Sequence, residues 1–305
     1  MKLLEQYEQE GYVIVPDLIP HAKIDLLLER LERFKHGRRP YWSESIHKWI
    51  LPGLDDKGFM VESMENMTRL WFSGGLNDAA NELLLGPEIN NVLKQIKPER
   101  KEFVHWLNHL FDRSTGSVDH VDNWYLDTDP AGDLIGAWIA LEDIHPDAGP
   151  FRVFPRTHLD PQMPKLWSMD HVSFVKHCAA LVSTMEPLPV IIKKGTVVFF
   201  HPFLLHGAVD QVDPNRSRKS VTGHYLPYGC LRKEREEQAD SPQVRLQREM
   251  EQSRFIGNLP IRVSHTLRDE VAFNLRGMTS YAKTMVVGPT PIVMDMKRRA
   301  WTEEK

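Results

Sequence analysis

Cysteine is scarce in this chain of 305 residues: Cys178 and Cys230 stand far apart and form no CxxC pair. A disulfide framework and a cysteine-held zinc are therefore not expected, and a reducing, cytoplasmic setting is. Long apolar runs are missing too. No stretch of about 18 uncharged apolar residues occurs, so no membrane span is expected. The opening Met1-Lys2-Leu3-Leu4-Glu5 turns polar too soon for a signal peptide. Neither sign of charge dominates: 38 Lys and Arg face 42 Asp and Glu, a formal net charge of -4. Nucleic acid and anionic membranes gain no electrostatic reason to bind. HExxH, GxSxG and the GxxxxGK phosphate loop are all absent, which removes the usual support for metalloprotease, hydrolase and nucleotide-binding readings. What is left is an enzyme or binding protein for a small molecule, with room for a homo-oligomer.

The pattern of apolar residues divides the chain. Tyr12-Val13-Ile14-Val15, ended by Pro16, reads as a strand, and Ile24, Leu27, Leu28, Leu31 and Phe34 recur at helical spacing. Asn77 to Ile96 suggests two short helices broken at Gly86-Pro87. Residues 1–100 are thus expected to be mostly helical. From Phe103 the pattern changes to short β-branched and aromatic runs between turn residues: Phe103–Phe111, Leu134–Leu141, Phe151–Phe154, Val190–Ile192, Thr196–Phe200 and Ser220–Tyr225. Short strands with this punctuation suggest a sandwich or barrel. The fold expected is α+β, a double-stranded β-helix (a jelly roll of cupin type) over 103–228 with flanking helices. Residues 229–305 read as a charged, helical extension, with 231–255 a lid, a dimer arm or a surface helix. One domain over 1–305 is expected.

The chemistry rests on Asp119-His120-Val121-Asp122, followed 86 residues later by a second imidazole in Leu205-His206-Gly207. In an extended segment residues i and i+2 point the same way, so His120 and Asp122 can converge on one ion. His206, supplied by a distant strand, would complete two histidines and a carboxylate on one face of a metal, leaving open positions that suit iron(II) and dioxygen. Structural zinc would call for four closed ligands. Taken alone, HxD among fourteen histidines is a weak signal; its surroundings strengthen it. The apolar run Gly195–Phe200 leads to His206. Arg218 lies 12 residues further on, and shares a strand face with Ser220. A guanidinium fork and a hydroxyl are what the far end of a buried dicarboxylate needs. Trp138 could wall the same pocket.

These motifs resemble the phytanoyl-CoA dioxygenase family, within the wider iron(II)/2-oxoglutarate oxygenases. The resemblance runs through EQEGYVIVPDLIP and the helix after it (8–34), then HVD, GAWIALEDIHPDAGPFRVFPRTH, GTVVFFHPFLLHGA and RSRKSVTGHY, covering roughly 103–228. It implies iron(II) held by His120, Asp122 and His206, and 2-oxoglutarate as cosubstrate with dioxygen. It also implies Arg218 on the C5 carboxylate, Ser220 beside it, Trp138 lining the cosubstrate pocket, and Asn108 as a further polar contact. Departures are informative. Pro155-Arg156-Thr157-His158 stands where many relatives have PGSH, and Ala208 stands where many have a small hydroxyl residue. Arg216 competes with Arg218, and His201 with His206. The carboxylate Asp122 is retained, which points to oxygenation and away from halogenation.

For the substrate, Trp124, Tyr125 and Arg152 are candidates, with Lys165 a second cation; core packing and solvated charge compete with each. Two other functions fit the same fold: a jelly roll that binds a ligand without turnover, and a cupin-like metalloenzyme that does not use 2-oxoglutarate.

Overall fold

The computed structural model describes residues 2–37, 39–43, 48–235, 244–248, 253–287, 292–295 and 300–303. The N-terminal part runs α1 (Leu3–Glu10), β1 (Tyr12–Val15), α2 (His21–His36), β2 (Tyr41–Ser43), β3 (Lys48–Ile50), β4 (Met64–Glu65), α3 (Leu76–Leu84) and α4 (Pro87–Ile96). Then come β5 (Phe103–Phe111), β6 (Leu126–Asp129), β7 (Ile135–Ala140), β8 (Phe151–Val153), α5 (His171–Val182), β9 (Leu188–Pro189), β10 (Val197–Phe200), β11 (His206–Ala208) and β12 (Ser220–Pro227). The C-terminal part adds β13 (Leu231–Arg235), β14 (Val244–Arg248), β15 (Arg254–Phe255), β16 (Arg262–Val263), α6 (Leu267–Val287), β17 (Ile292–Asp295) and β18 (Ala300–Glu303).

Local chemistry explains several boundaries. α1 stops where Gly11 takes a left-handed conformation and its N–H bonds the Tyr7 carbonyl. α4 starts on Pro87, whose fixed φ and missing N–H suit a first helical position. At α5 the Asp170 side chain accepts from the Ser173 N–H, capping the free end.

The large sheet has the strand order β1-β10-β7-β12-β5-β16-β15, with β4 also paired to β5. Every pairing in it is antiparallel except β16 on β5. A second sheet, β11-β8-β9, faces it to complete the jelly roll. Side chains alternate strictly across the central strands. Val13, Val197, Phe199, Ala137, Ile139, Val221 and Tyr225 turn outward and pack with Ile24, Leu27 and Leu31 of α2, Leu83 and Leu84 of α3, and Ile89 and Leu93 of α4. The alternate residues, among them Trp138, Ala140, Val198 and Phe200, turn inward against Phe151 and Val153 of β8. Gly136 is required here: a Cβ would lie 2.2 Å from the Phe200 ring. β5 carries a bulge at Trp106, since His224 pairs with Leu107 while Tyr225 pairs with His105.

The expected strand at Val190–Ile192 lies two residues earlier, as β9. Residues 231–255 are not the expected helix. Where described, they form β13, β14 and β15, with β13 hydrogen-bonded between β6 and β14. Leu231–Arg235 has good intrinsic helix formers, but the open edge of β6 offers it a ladder of backbone hydrogen bonds, and propensity is the weaker force. Residues 236–243 and 249–252 of that run lie outside the described residues. The helix of the extension is α6.

Candidate iron site

His120 and His206 are brought together by an antiparallel bridge: each backbone N–H donates to the other residue's carbonyl, at 2.8 and 2.9 Å. Val121 is extended (φ -119°, ψ 142°), so His120 and Asp122 emerge on one side, as the HxD spacing predicts. The Asp122 carboxylate then sits 3.8 Å from His120 Nε2 and 3.5 Å from His206 Nε2, both measured to Oδ1. One donor atom from each of the three side chains lies within 4.8 Å of the others.

The protonation pattern is that of a ligand set. His120 Nδ1 donates to the Val118 carbonyl at 2.7 Å, and His206 Nδ1 to the Leu204 carbonyl at 2.9 Å. A carbonyl only accepts, so each Nδ1 holds the proton and each Nε2 lone pair is turned to the centre. Burial, reinforced by His120, pushes His206 down to about 4, so its imidazole is neutral at physiological pH. Burial of Asp122 works against ionisation, but its neighbours, His224 first among them with a hydrogen bond to Oδ2, outweigh it and hold the carboxyl well below the usual range. Two imidazoles and a carboxylate, with no fourth ligand among the described residues, fit iron(II) with open positions. Asp122 and His206 are buried, and His120 keeps a quarter of its side-chain surface in solvent, so access is from the His120 side.

Two clamps fix the strands that carry the set. Arg152 on β8 donates through Nε and Nη2 to the two oxygens of Asp119, at 2.8 and 2.7 Å, next to His120. Gly207 makes room: a Cβ there would stand 2.4 Å from Asp119 Oδ1. On the other flank Thr157 Oγ1 accepts from the Leu205 N–H at 2.9 Å. Arg156 before it holds a left-handed φ of 69°, the backbone a glycine would adopt in a PGSH loop.

Arg218 lies deeper, 3% exposed. No carboxylate reaches it among the described residues. Its Nη1 makes one long bond, 3.4 Å, to the Gly149 carbonyl, and its Nε has no hydrogen-bond partner. The guanidinium lies over the rings of Phe111 (5.3 Å) and Trp138 (6.0 Å), and burial pulls its pKa down to about 10. Ser220, two residues on along the strand face, is fully buried with an unpartnered Oγ. Buried polar atoms without partners are costly and rare, and here two of them, Arg218 Nε and Ser220 Oγ, stand two residues apart at the start of β12. Trp138 stacks on Phe151 (5.4 Å, 11°), which touches the His206 ring.

Several sequence candidates fall elsewhere. Asn108 turns to the helix side, where its Oδ1 accepts from the Met67 N–H and its Nδ2 donates to Thr68, so its amide is spent away from iron. Arg216 pairs with Asp213 in a half-exposed turn, which leaves Arg218 as the buried cation. His201 packs at an angle against the rings of Tyr7, His158 and Phe203 and accepts the Phe203 N–H. Arg152 is committed to Asp119, and Lys165 is exposed. Trp124 stacks on Phe174 of α5 (4.8 Å, 16°) with its indole N–H on Met169, while Tyr125 keeps 41% exposure and sets an edge against the His120 ring, 5.9 Å away. Two inward residues escaped the sequence reading. His224 Nε2 donates to Asp122 Oδ2 at 3.0 Å, and His109 stands 6.4 Å from the His224 ring. His224 was findable, because counting by twos from Arg218 and Ser220 reaches it.

A jelly roll that presents two imidazoles and one carboxylate this way defines a non-haem iron oxygenase site. The family model described as phytanoyl-CoA dioxygenase (PhyH) matches residues 7–220, and the chain belongs to that family. It is 23% identical over 266 residues to the phytanoyl-CoA dioxygenase domain-containing protein 1 homolog of Caenorhabditis elegans, covering 73% of this chain and 90% of the relative. It is 29% identical over 117 residues to the peroxisomal phytanoyl-CoA dioxygenase of Bos taurus, where it spans about a third of the relative (34%, and 36% of this chain). Among solved structures, the fold is similar to the non-heme alpha ketoglutarate dependent carbocyclase SnoK from nogalamycin biosynthesis, with a TM-score of 0.55 at 14% identity over 75% of this chain and 84% of that one. It is also similar to the epimerase SnoN, with a TM-score of 0.54 at 16% identity over 86% and 96%. No helix among the described residues is long and apolar enough to cross a membrane.

Proposed function

We propose that this protein is an iron(II)- and 2-oxoglutarate-dependent dioxygenase that oxidises an unactivated C–H bond of a small metabolite, releasing succinate and carbon dioxide. His120, Asp122 and His206 hold the metal, and Arg218 with Ser220 receives the C5 carboxylate of 2-oxoglutarate beside Trp138. Bound iron with its cosubstrate supplies the oxidising power. The chain's own side chains position and exclude. The Nδ1 bonds to Val118 and Leu204 fix both imidazoles in the ligating tautomer. The Arg218 guanidinium, with its Nε free, and the Ser220 hydroxyl present donors to a diacid, while Phe111, Trp138 and Phe151 shield that end from water. Tyr125, exposed beside His120, is placed to touch the substrate. The two buried free thiols, Cys178 and Cys230, support a reducing, cytoplasmic setting.

The observation that carries the reading is the buried Arg218–Ser220 pair on the same side of the sheet as the triad: Arg218 has no carboxylate partner among the described residues and its Nε is unpaired, as is Ser220 Oγ. Adding 2-oxoglutarate to the anaerobic iron(II) protein should give a weak visible metal-to-ligand charge-transfer band. A ligand-binding jelly roll, or a metalloenzyme that ignores 2-oxoglutarate, would give none. Succinate formation across metabolite pools identifies the substrate, and stimulation by protein or nucleic acid alone overturns the small-molecule part.

A further inference from the structure

The Asp122 carboxylate has two oxygens, and they face different partners. Oδ1 looks toward His120 and His206. Oδ2 is 3.0 Å from His224 Nε2. Because the ionised carboxylate only accepts, His224 Nε2 must carry the proton. We propose that His224 is a positioning residue that occupies Oδ2 and so keeps Asp122 a one-oxygen ligand. This rests on the iron-site reading above.

The reasoning is geometric. Three protein donors leave room for a chelating diacid and dioxygen only if the carboxylate takes a single position. A freely turning carboxylate spends much of its time with neither oxygen aimed at the metal, which weakens binding, and when it offers both oxygens it fills a position the cosubstrate needs. His224 is 6% exposed, and its ring meets Phe200 and His109 edge-on at 6.4 Å each. It therefore has one polar contact to give, since its Nδ1 has no partner among the described residues. Its place on β12 adds a second role. Arg218 lies just before that strand, and Ser220, Thr222 and His224 follow on the same face. Four residue steps of strand, roughly 13 Å, lead from Ser220 to His224. One rigid element thus sets both the diacid anchor and the orientation of the metal's carboxylate. Partners of ligating groups typically matter about as much as this demands, costing 10–100-fold in metal affinity when removed.

Three full-length chains decide it: wild type, His224→Gln, whose amide can still donate, and His224→Leu, which cannot. Cobalt(II) is titrated anaerobically by absorbance, without 2-oxoglutarate, and the metal-free melting temperature is recorded. The leucine variant should bind cobalt about 10–100-fold more weakly. The glutamine variant should stay within about threefold of wild type, with melting temperatures alike. Should the leucine chain fail to fold, His224→Asn, whose amide stops short of Asp122, takes its place with the same expected loss. Wild-type affinity in the leucine or asparagine variant overturns the proposal, and so does an equal loss in glutamine and leucine. If wild type itself binds no cobalt, it is the iron-site reading that fails.

Discussion

The two faces of the large sheet are made by the same strands and behave as opposites. On the outer face, Ile139, Val221 and Phe199 meet the helices in a continuous apolar layer, and the Tyr225 hydroxyl finds the Leu84 carbonyl at 2.9 Å. On the inner face one residue along, Arg218 Nε, Ser220 Oγ and His224 Nδ1 are buried without partners. Fully burying an aliphatic side chain contributes roughly 1.5–3 kcal/mol, whereas an unpaired buried polar group costs about 1–3 kcal/mol. The outer face is where stability resides, and the inner face gives some of it up, as a ligand site would. Natural proteins accept such costs at functional sites.

The largest test of that contrast is Arg218→Met, which keeps the length of the side chain and removes the fork. Affinity for 2-oxoglutarate should fall about 100-fold or more, because a buried carboxylate is left without its cation. The same change should raise the melting temperature of the ligand-free protein, corresponding to about 1 kcal/mol, since a desolvated charge with no counter-ion is gone. Calorimetric titration with 2-oxoglutarate and a thermal melt read the two effects on one sample. A variant that is both weaker in binding and less stable would show that Arg218 belongs to the packing, and the contrast between faces would collapse.

The opposite expectation attaches to Ile139→Ala on the outer face, directly between Val197 and Val221 in the ladder and fully buried. Urea denaturation should show a loss of about 2–5 kcal/mol from the cavity left behind. Affinity for 2-oxoglutarate should stay within about twofold, because Trp138 and Ala140 on either side of it face the other way. A tenfold change in affinity would mean the faces are coupled through the backbone.

Alternation by twos also explains what the sequence could disclose. Strands β1, β5, β7, β10 and β12 were legible because they are β-branched and aromatic runs between turn residues, and β5 even keeps its expected limits, Phe103–Phe111. The triad was legible because an i, i+2 pair must share a side. Which side was not legible. β5 is covered on both faces, so His105, Leu107, Asn108 and His109 show no polar–apolar rhythm to betray inward from outward. The resemblance implies Asn108 as a cosubstrate contact, whereas the alternation turns it to Met67 and Thr68 and turns His109 toward His224. The bulge at Trp106 shifts the phase again. Leu231–Arg235 reads as helical in sequence, yet its partner strand β6, more than a hundred residues earlier, supplies the hydrogen bonds that decide its conformation. Pairing over that distance leaves no local trace. Arg152 stands between substrate contact and solvated charge in the sequence because Asp119, 33 residues before it, gives no sign that it will neutralise the guanidinium.

His105 is the exception on the stable face, and it makes the smallest test. The bulge turns it outward against the Tyr225 ring, 5.4 Å away, where it is 2% exposed and its Nε2 has no partner among the described residues. Burial, with a smaller push from His224, drives its pKa down to about 3. In the unfolded chain a histidine takes up a proton near pH 6.5. Above that pH neither state is protonated and stability is complete; as pH falls from 6.5 toward 3, only the unfolded state gains the proton. Stability is therefore lost on the acid side, by about 2 kcal/mol for one such histidine between pH 6.5 and 5. Other buried imidazoles, His201 among them with a pKa pushed down to about 3, add to the slope. The discriminating measurement is the difference between wild type and His105→Phe in urea denaturation at pH 7.5 and pH 5. The phenylalanine variant keeps the ring contact with Tyr225 and should lose about 2 kcal/mol less than wild type over that interval. An identical drop in both would mean that water or a polar group reaches His105. The outer face would then be less sealed than its apolar layer indicates.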